Sequence, residues 1–317
     1  MKPTSQDHKP VSLPGKTTIV ERLKGLARIP KEHFSVYVGR QGQATYLPVP
    51  SGSWSYFADP FIWQHQGQLW LLVEEFEYLN NRGRLRCIPL DESLKPGVPG
   101  PMMSLGCHAS FPFLFEHEDT LFMVPETSWG NCVDLFVCES FPGKWRHAAR
   151  LLDGIDAADT VLFQHDGLYW MITSIREDRQ NKARWLSIYF CNDLLHGTWQ
   201  PHPVNKLKKF EGTRHSTGRN GGAIVHHDGH LLRVAQDNHD YYGQSIRIMQ
   251  IDKLSTTDFS ETPYRGHNIL TDISRRFSPH HISLHGDFVA FDVRDRSGYR
   301  QYIPFWRKAA GTPKLPE

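Results

Sequence analysis

The sequence lacks the features that mark several common protein classes. Its 317 residues include 5 Cys with no C-x-x-C pair, which disfavours a disulfide framework or a zinc site and favours reduced intracellular thiols. No window approaches the roughly 20 apolar residues of a membrane-spanning helix, and the N-terminal residues carry no apolar stretch typical of a secretory signal. The sequence therefore predicts a cytoplasmic protein without a membrane span.

A large charge of either sign is also missing. The chain has 36 Lys+Arg against 34 Asp+Glu, which gives a formal net charge of +2. Such a balance produces no strong field toward polyanions, so nucleic acid is not expected as a partner, whereas a neutral sugar would fit. Phosphate-binding loops, dinucleotide fingerprints and G-x-S-x-G elbows are absent too, so no nucleotide cofactor or serine hydrolase chemistry is predicted.

What the chain does have is a repeat. Five segments share a pattern of an apolar run, a tight turn and a second apolar run, which is typical of a β-hairpin. A further strand is predicted after each turn. The segments start at Asp59, Phe111, Asp159, Gly221 and His280, their turns lie at Gly67, Asp119, Gly167, Gly229 and Gly286, and the third strands are predicted at 83–90, 133–140, 184–193, 245–252 and 299–306.

Turns 48 to 62 residues apart, each with three or more strands, predict an all-β fold, a five-bladed β-propeller. A sandwich or a solenoid of hairpins is the competing fold, but a sandwich has no reason to repeat one spacing five times. Residues 51–308 are assigned to the propeller and 309–317 to a C-terminal tail. Residues 1–50 are predicted to hold a tail, the single helix-like stretch at 19–29, and a strand at 33–39 that closes the ring.

The inner strand of each propeller blade lines the central channel, so the starts of the five first strands are where a ligand site is expected. Asp59 and Asp159 lie at two of these starts, and Glu126 lies at the end of a second strand. Carboxylates that converge on one axis could perform acid/base chemistry on a glycosidic bond. An Asp at such a place can also simply cap a turn, and that alternative stays open for each residue taken alone.

Several motifs together resemble one family. They are ADPF at 58–61, HASFPF at 108–113, FPGKW at 141–145, DAADT at 156–160 and GRNGG at 218–222. The pattern resembles the N-terminal domain of plant glucosamine inositolphosphorylceramide transferases and of bacterial proteins from surface-polysaccharide gene neighbourhoods. It is also similar to five-bladed glycosidases such as arabinanases, xylosidases and invertases. The resemblance covers residues 54 to about 292 and does not reach a glycosyltransferase domain.

The resemblance to the glycosidases implies roles for three carboxylates. Asp59 would be the base or nucleophile, Asp159 would tune the acid, and a Glu would be the general acid. Those glycosidases carry the acid later in the chain, where this sequence has Arg219 and Asp237, so Glu126 is the best substitute. A nearby Asp159 would raise the pKa of Glu126 by like-charge repulsion.

The sequence thus predicts a carbohydrate-active propeller that cleaves or transfers a glycosyl unit of a saccharide or an activated sugar. The alternative is a non-catalytic glycan-binding or scaffold propeller that works beside other polysaccharide-assembly enzymes. No cofactor or metal is assigned, although an axial calcium ion is left open. The catalytic residues would be Asp59, Glu126 and Asp159, and the substrate-binding residues Glu75, His108, Trp129, Arg219, Asp237 and His281.

Overall fold

The fold is a five-bladed β-propeller, which confirms the predicted class. The structure, a computed structural model, describes residues 32–127, 130–176, 184–207 and 217–295. These residues form five four-stranded antiparallel sheets, and each sheet is one blade. Within every blade the first and second strands are joined by a tight two-residue turn, which is typical of a β-hairpin.

The strands follow in chain order. β1 is Phe34–Arg40 and β2 Leu47–Val49; the first blade then takes β3 (Ser55–His65), β4 (Gln68–Glu77), β5 (Arg82–Leu90) and β6 (Gly100–Pro101). The second blade takes β7 (Ser110–His117), β8 (Thr120–Glu126), β9 (Cys132–Ser140) and β10 (Lys144–Asp153), and the third β11 (Asp156–His165), β12 (Leu168–Arg176), β13 (Trp185–Cys191) and β14 (Gln200–Pro201). The fourth takes β15 (Asn220–His227), β16 (His230–Asp237), β17 (Ser245–Leu254) and β18 (Phe259–Pro263); β19 (His281–His285) and β20 (Phe288–Arg294) begin the fifth.

The five predicted hairpins are present at the predicted places. Each joins the first and second strands of a blade, and each predicted turn residue has a positive φ. The angles are 80° at Gly67, 56° at Asp119, 74° at Gly167, 77° at Gly229 and 54° at Gly286. Glycine and aspartate are the residues that tolerate this region of backbone space, which is why the turns could be read from the sequence.

The ring is closed by strands from opposite ends of the described chain. In the fifth blade the order is β19-β20-β1-β2, and β1 pairs antiparallel with β20 in a register that sets Val38 against Ala290. β1 is thus the third strand of this blade, as predicted for the ring-closing strand at 33–39. A third strand was also predicted at 299–306. Residues 299–306 themselves lie outside the described residues.

Two short helices were not predicted from the sequence. The predicted helix at 19–29 lies outside the described residues, whereas α1 (Val204–Leu207) and α2 (Ile269–Phe277) are present. α2 begins at a capping box, in which the Asn268 side chain accepts from the Thr271 N–H and the Thr271 hydroxyl accepts from the Asn268 N–H, each at 3.0 Å. Its apolar face packs Phe277 against Phe291 of the last blade, with ring centroids 5.2 Å apart.

The cysteine and membrane predictions can be compared with the described residues. All five cysteines lie in these ranges and are free thiols. No helix in the described part of the chain is long and apolar enough to cross a bilayer. Burial raises the pKa of the Cys87 thiol to about 12, so this thiol is an apolar core group and not a nucleophile.

Three buried rings from different blades meet at the centre of the propeller. Phe61 of β3, Phe111 of β7 and His281 of β19 have ring centroids 4.6 to 5.3 Å apart in edge-on contacts. All three are almost fully buried. Edge-to-face contacts of this kind stabilise beyond the area they bury, so the inner strands of blades one, two and five are held in fixed relative positions.

Backbone also packs closely on backbone where blade four meets blade five. Gly222 of β15 has φ 155°, and a Cβ there would lie 2.2 Å from the carbonyl oxygen of Ile282 in β19. Only glycine fits, because both the backbone angle and the contact exclude a side chain. Gly222 therefore marks a close contact between the backbones of two neighbouring blades.

Replacing this glycine should weaken the ring. We expect Gly222→Ala to lower the free energy of unfolding by about 3 kcal/mol or more, since a backbone carbonyl cannot move aside. Gly100→Ala is the matched control: the nearest atom to its added Cβ is 3.8 Å away, and its effect should stay within about 0.5 kcal/mol. Denaturant titration of both variants measures the difference, and equal stabilities would contradict the contact.

Candidate functional site

A β-bulge lies near the start of the inner strand in three consecutive blades. The register between first and second strands shifts after Ala58, Ser110 and Ala158. The residue that follows each has a positive φ, 49° at Asp59, 47° at Phe111 and 51° at Asp159. A bulge redirects the side chain it carries, so Asp59 and Asp159 occupy equivalent places in blades one and three, while blade two has a phenylalanine there.

The second strands bring three more acids to the same end of the ring. Glu74 lies opposite Ala58, Glu126 opposite Ser110 and Asp292 opposite His281. Two of these acids reach across to the next blade. Glu126 Oε2 accepts the backbone N–H of Asp159 at 3.3 Å.

Asp292 Oδ2 accepts the backbone N–H of Asp59 at 3.0 Å, in the same way. Each bond therefore joins the carboxylate of one blade to the bulge of its neighbour. Since Glu126 and Asp292 belong to blades two and five, the cluster draws on four blades once Asp59 and Asp159 are counted.

Asp159 is neutralised by Arg219. The guanidinium donates to both carboxylate oxygens, Nε to Oδ2 at 2.5 Å and one terminal nitrogen to Oδ1 at 2.9 Å, and Asn220 Nδ2 donates to the Asp159 carbonyl at 2.7 Å. Arg219 also lies 3.8 Å from Glu126 Oε2. A bidentate pair of this kind fixes a carboxylate and its charge, so Asp159 suits the tuning role better than the role of a base.

Asp59 faces a histidine rather than an arginine. His280 Nδ1 is 3.6 Å from Asp59 Oδ1 and 3.2 Å from Asp292 Oδ2. Asp59 is 6% exposed, and its Oδ1 has no hydrogen-bond partner among the described residues. Burial raises the pKa of Asp59 to about 7, against the opposing effect of His280.

Glu74 is the most isolated acid of the cluster. Its Oε1 is buried without a hydrogen-bond partner in the described chain, and the imidazole of His108 lies nearby, with Nε2 3.6 Å away. Gly83 makes room for it, since a Cβ there would lie 2.0 Å from Glu74 Oε1. Burial and the nearby carboxylates of Asp59 and Glu126 raise the pKa of Glu74 well above its usual value.

His108 is neutral in this setting. Its Nδ1 accepts the backbone N–H of Gly83 at 2.8 Å, which places the proton on Nε2, on the side of Glu74. Burial lowers the pKa of His108 to about 4. His108 therefore offers Glu74 a neutral N–H and no compensating charge.

The pKa of Glu126 is raised as the sequence predicted, but the main cause differs. Burial contributes most and repulsion from Asp159 comes second, while Arg219 and Arg184 oppose both. From the sequence, only repulsion from Asp159 was expected to raise this pKa. Burial could not be read from the sequence, because it depends on how neighbouring blades cover the strand end.

Other side chains predicted for the site contact partners other than the five acids, or lie outside the described residues. Glu75 accepts from Ser55 Oγ at 2.9 Å and pairs with Arg86 at 2.6 Å, so the neighbouring Glu74 is the one that joins the acids. Asp237 pairs with Arg247 at 2.6 Å. His281 is fully buried between phenylalanine rings, and Trp129 lies outside the described residues.

Three members of the cluster were not assigned roles from the sequence: Glu74, His280 and Asp292. One signal could have found Asp292. Like Glu74 and Glu126, it is an acid in the last part of a blade's second strand, although it lies two residues closer to the hairpin turn than they do. No such signal marked His280, because the sequence of the pair His280 and His281 does not indicate which of the two rings contacts the acids.

Within the described residues, one group of three meets the spacing of metal ligands. Asp59, His280 and Asp292 each offer an atom within 4.8 Å of the others. Both oxygens of Asp292 already accept backbone N–H groups, from Asp59 and from His281, and Oδ2 also faces His280. These contacts are those of a network that shares protons, and we assign no metal to it.

The cluster as a whole has more acid than base. Five buried carboxylates, those of Asp59, Glu74, Glu126, Asp159 and Asp292, face one guanidinium and one imidazole that can carry charge, those of Arg219 and His280. Two carboxylates are matched by these cations. The remaining acids must hold protons or receive a cation from a ligand, because an unpaired buried carboxylate is costly.

Comparison with known proteins places the chain in context. Residues 45–272 match the family model described as glucosamine inositolphosphorylceramide transferase 1, N-terminal. A curated protein of Arabidopsis thaliana, glucosamine inositolphosphorylceramide transferase 1, is 30% identical over 209 residues, which are 65% of this chain and 27% of that protein. The Oryza sativa subsp. japonica protein of the same name is 28% identical over 212 residues, 66% and 28% of the two chains. The chain thus spans about a quarter of these relatives.

Solved structures share the fold. A thermostable family-43 glycoside hydrolase superposes with a TM-score of 0.53 at 13% identity, covering 78% of this chain and 91% of that one. The GH32 β-fructofuranosidase of Bombyx mori superposes with a TM-score of 0.51 at 12% identity, covering 69% and 53%. At these identities the likeness concerns the five-bladed architecture alone.

The raised pKa of Glu74 predicts an unusual pH dependence of stability. An unfolded Glu releases its proton near pH 4.5, whereas the buried Glu74 holds its proton to higher pH, so its contribution to stability is lost as pH rises. Glu74→Gln removes this loss. Its melting temperature relative to the wild type should therefore rise as the pH increases above about 4.5, by about 2 to 4 °C for each kcal/mol regained.

The neighbouring acid gives the matched control. Glu75→Gln removes an ion pair with Arg86 and weakens the bond from Ser55, so it should lower the melting temperature by an amount that corresponds to about 1 kcal/mol. Thermal unfolding of both variants across the pH range is the measurement. If the melting temperatures of Glu74→Gln and the wild type changed with pH in parallel, the raised pKa of Glu74 would be contradicted.

Proposed function

The chain belongs to the glucosamine inositolphosphorylceramide transferase 1 N-terminal family, and on this basis we propose that its acid cluster binds a saccharide and cleaves or transfers a glycosyl unit. The observation that supports this most directly is the convergence of five buried carboxylates from blades one, two, three and five on one Arg and one His. Glycosyl chemistry needs one acid that holds its proton and one that has lost it.

The environments of the carboxylates suit separate roles. Asp59 lies next to His280 and acts as the base or nucleophile, because its pKa of about 7 allows both protonation states near neutrality. Glu126 is the general acid, since burial raises its pKa. Asp159 is held by Arg219 in a bidentate pair, and it adds to the proton affinity of Glu126.

An amino sugar is the ligand that best balances the charge. The net charge of the whole chain pointed to a neutral sugar, but the local excess of carboxylates favours a ligand that brings a positive charge. Glucosamine appears in the name of the curated relatives, and its ammonium group is such a cation. Glu74 would receive it, because its Oε1 has no partner among the described residues.

Tyr242 would hold the ring of the sugar. Its side chain is 39% exposed, and it packs edge-on against His280, with ring centroids 5.1 Å apart, while the Arg219 guanidinium lies 5.2 Å from its ring. An exposed aromatic ring beside an acid cluster gives the apolar face of a sugar a surface to pack on.

Turnover is tested first. A panel of aryl glycosides and nucleotide sugars, including amino-sugar derivatives, identifies a substrate of the wild type. Asp59→Asn and Glu126→Gln should then each lower kcat by at least about a hundredfold, the usual contribution of a positioned acid or base.

Asp237→Asn serves as the control for turnover, since Asp237 is equally buried but pairs with Arg247 away from the cluster. It should retain most of the turnover. The chemical assignment is wrong if Asp59→Asn and Glu126→Gln both keep wild-type kcat at an unchanged melting temperature.

Ligand choice is tested by binding. Calorimetry with glucosamine and N-acetylglucosamine compares one ring with and without the ammonium group, and the wild type should prefer glucosamine by at least about tenfold, or 1.4 kcal/mol. Glu74→Gln should abolish the preference, and Glu75→Gln should keep it because Glu75 is held by Arg86. Equal affinity of the wild type for both sugars would exclude the charge-based selection.

A second candidate function is glycan binding without turnover, in the assembly of surface polysaccharides. Its support is that blade four offers Arg219 where the similar glycosidases carry their acid, and that this arginine holds Asp159 in a bidentate pair. Glucosamine binding that depends on Glu74, together with no product from any member of the substrate panel, would favour this function over catalysis.

A further inference from the structure

His280 joins Asp59 to the last blade of the ring. Its ring is 1% exposed, and Nδ1 faces Asp292 Oδ2 at 3.2 Å and Asp59 Oδ1 at 3.6 Å. The flanking rings of Phe34 and Tyr242 lie 4.8 and 5.1 Å from the imidazole centroid. The ring is therefore held by packing on its faces and by carboxylates at one edge.

Asp292 fixes the geometry of this contact. It is fully buried, and its two oxygens accept the N–H groups of Asp59 and His281 at 3.0 and 2.7 Å. One carboxylate thus anchors the backbone of the residue proposed as the base and orients the imidazole beside it. A proton on an imidazole between two carboxylates is more favourable than a proton on either carboxylate, because the resulting cation interacts with both negative charges.

We propose that His280, oriented by Asp292, is the positioning residue that carries the proton of the Asp59–His280 pair and thereby keeps Asp59 ionised in a buried site. This proposal rests on the function proposed above, since it gives Asp59 its reactive form. No bond to a ligand is made or broken by His280. Its proton stays on Nδ1, between the two carboxylates, while Asp59 acts.

Other charges near His280 set the size of the effect. Burial lowers the pKa of His280, but Asp292 and Asp59 outweigh it and raise the pKa above the usual value. The groups that face the ring are Asp59 on β3, Asp292 on β20, Arg219 just before β15, Tyr242 in the loop after β16, and His281 on β19. Arg219 opposes the protonated form, so removing either acid should release the proton.

His281 is an internal control for this titration. It is the next residue in the chain and equally buried, but its two ring nitrogens have no hydrogen-bond partner among the described residues. Burial lowers its pKa to about 3. The two neighbours should therefore differ in charge at neutral pH although they share one strand end.

The test is NMR titration of the intact protein labelled with nitrogen-15 in its histidines, after dialysis against a chelator. We expect His280 to titrate above pH 6.5 in the wild type, and its midpoint to fall by at least about one pH unit in Asp59→Asn. His281 should stay neutral in both proteins. A neutral His280 in the wild type, or an unchanged midpoint in Asp59→Asn, would overturn the proposal.

Asp292→Asn gives an independent variant, and it is scored only if its melting curve shows a folded protein. It should lower the His280 midpoint as well. On a substrate found with the panel, His280→Gln should shift the acid limb of the kcat/KM profile to higher pH, since Asp59 then loses its cation. If no substrate is found, the proposed catalysis is not supported, but the NMR titration still decides whether His280 carries the proton.

Discussion

The interaction on which the site depends is a hydrogen bond between neighbouring blades. In two places a carboxylate near the end of a second strand accepts the backbone N–H of an aspartate that lies in a bulge of the next blade. Asp292 accepts from Asp59, and Glu126 accepts from Asp159. The bulge exposes an N–H that a regular ladder would have used, and the acid satisfies it. Each bond brings two carboxylates together, and the cost of burying them is the physical origin of the raised pKa values.

Much of the fold was predictable because the signals are local. Alternating strands and two-residue turns with Gly or Asp at positive φ, such as Gly167 and Asp119, are read within a dozen residues. What could not be predicted is non-local. A ring-closing strand at 33–39 was expected, but its pairing with β20 joins segments some 250 residues apart, and no feature of either strand specifies that register. The nine-residue α2 escaped because its helix signal is short and depends on the Asn268 cap.

The site was predictable in part for the same reason. Asp59 and Asp159 could be identified because they lie at repeated strand starts, and Glu126 because it lies at a strand end. Which of two neighbouring acids faces the cluster could not be predicted. Adjacent strand residues point to opposite faces, and in β4 Glu74 joins the acids while Glu75 meets Arg86. Burial is the main cause of the pKa shifts. It depends on how other blades cover a residue, so it cannot be predicted from the sequence of one segment.

Closure of the ring by β1 has a consequence for how the protein is made on the ribosome. The carboxylate that anchors Asp59 lies 233 residues later in the chain, and the free edge of β1 must wait for β20, which is synthesised much later. Until then the nascent chain can pair β1 only with β2, and Asp292 is missing from the set of acids. Closure of this propeller is a late, high-contact-order event, and the contact that anchors Asp59 forms only when the last blade is complete.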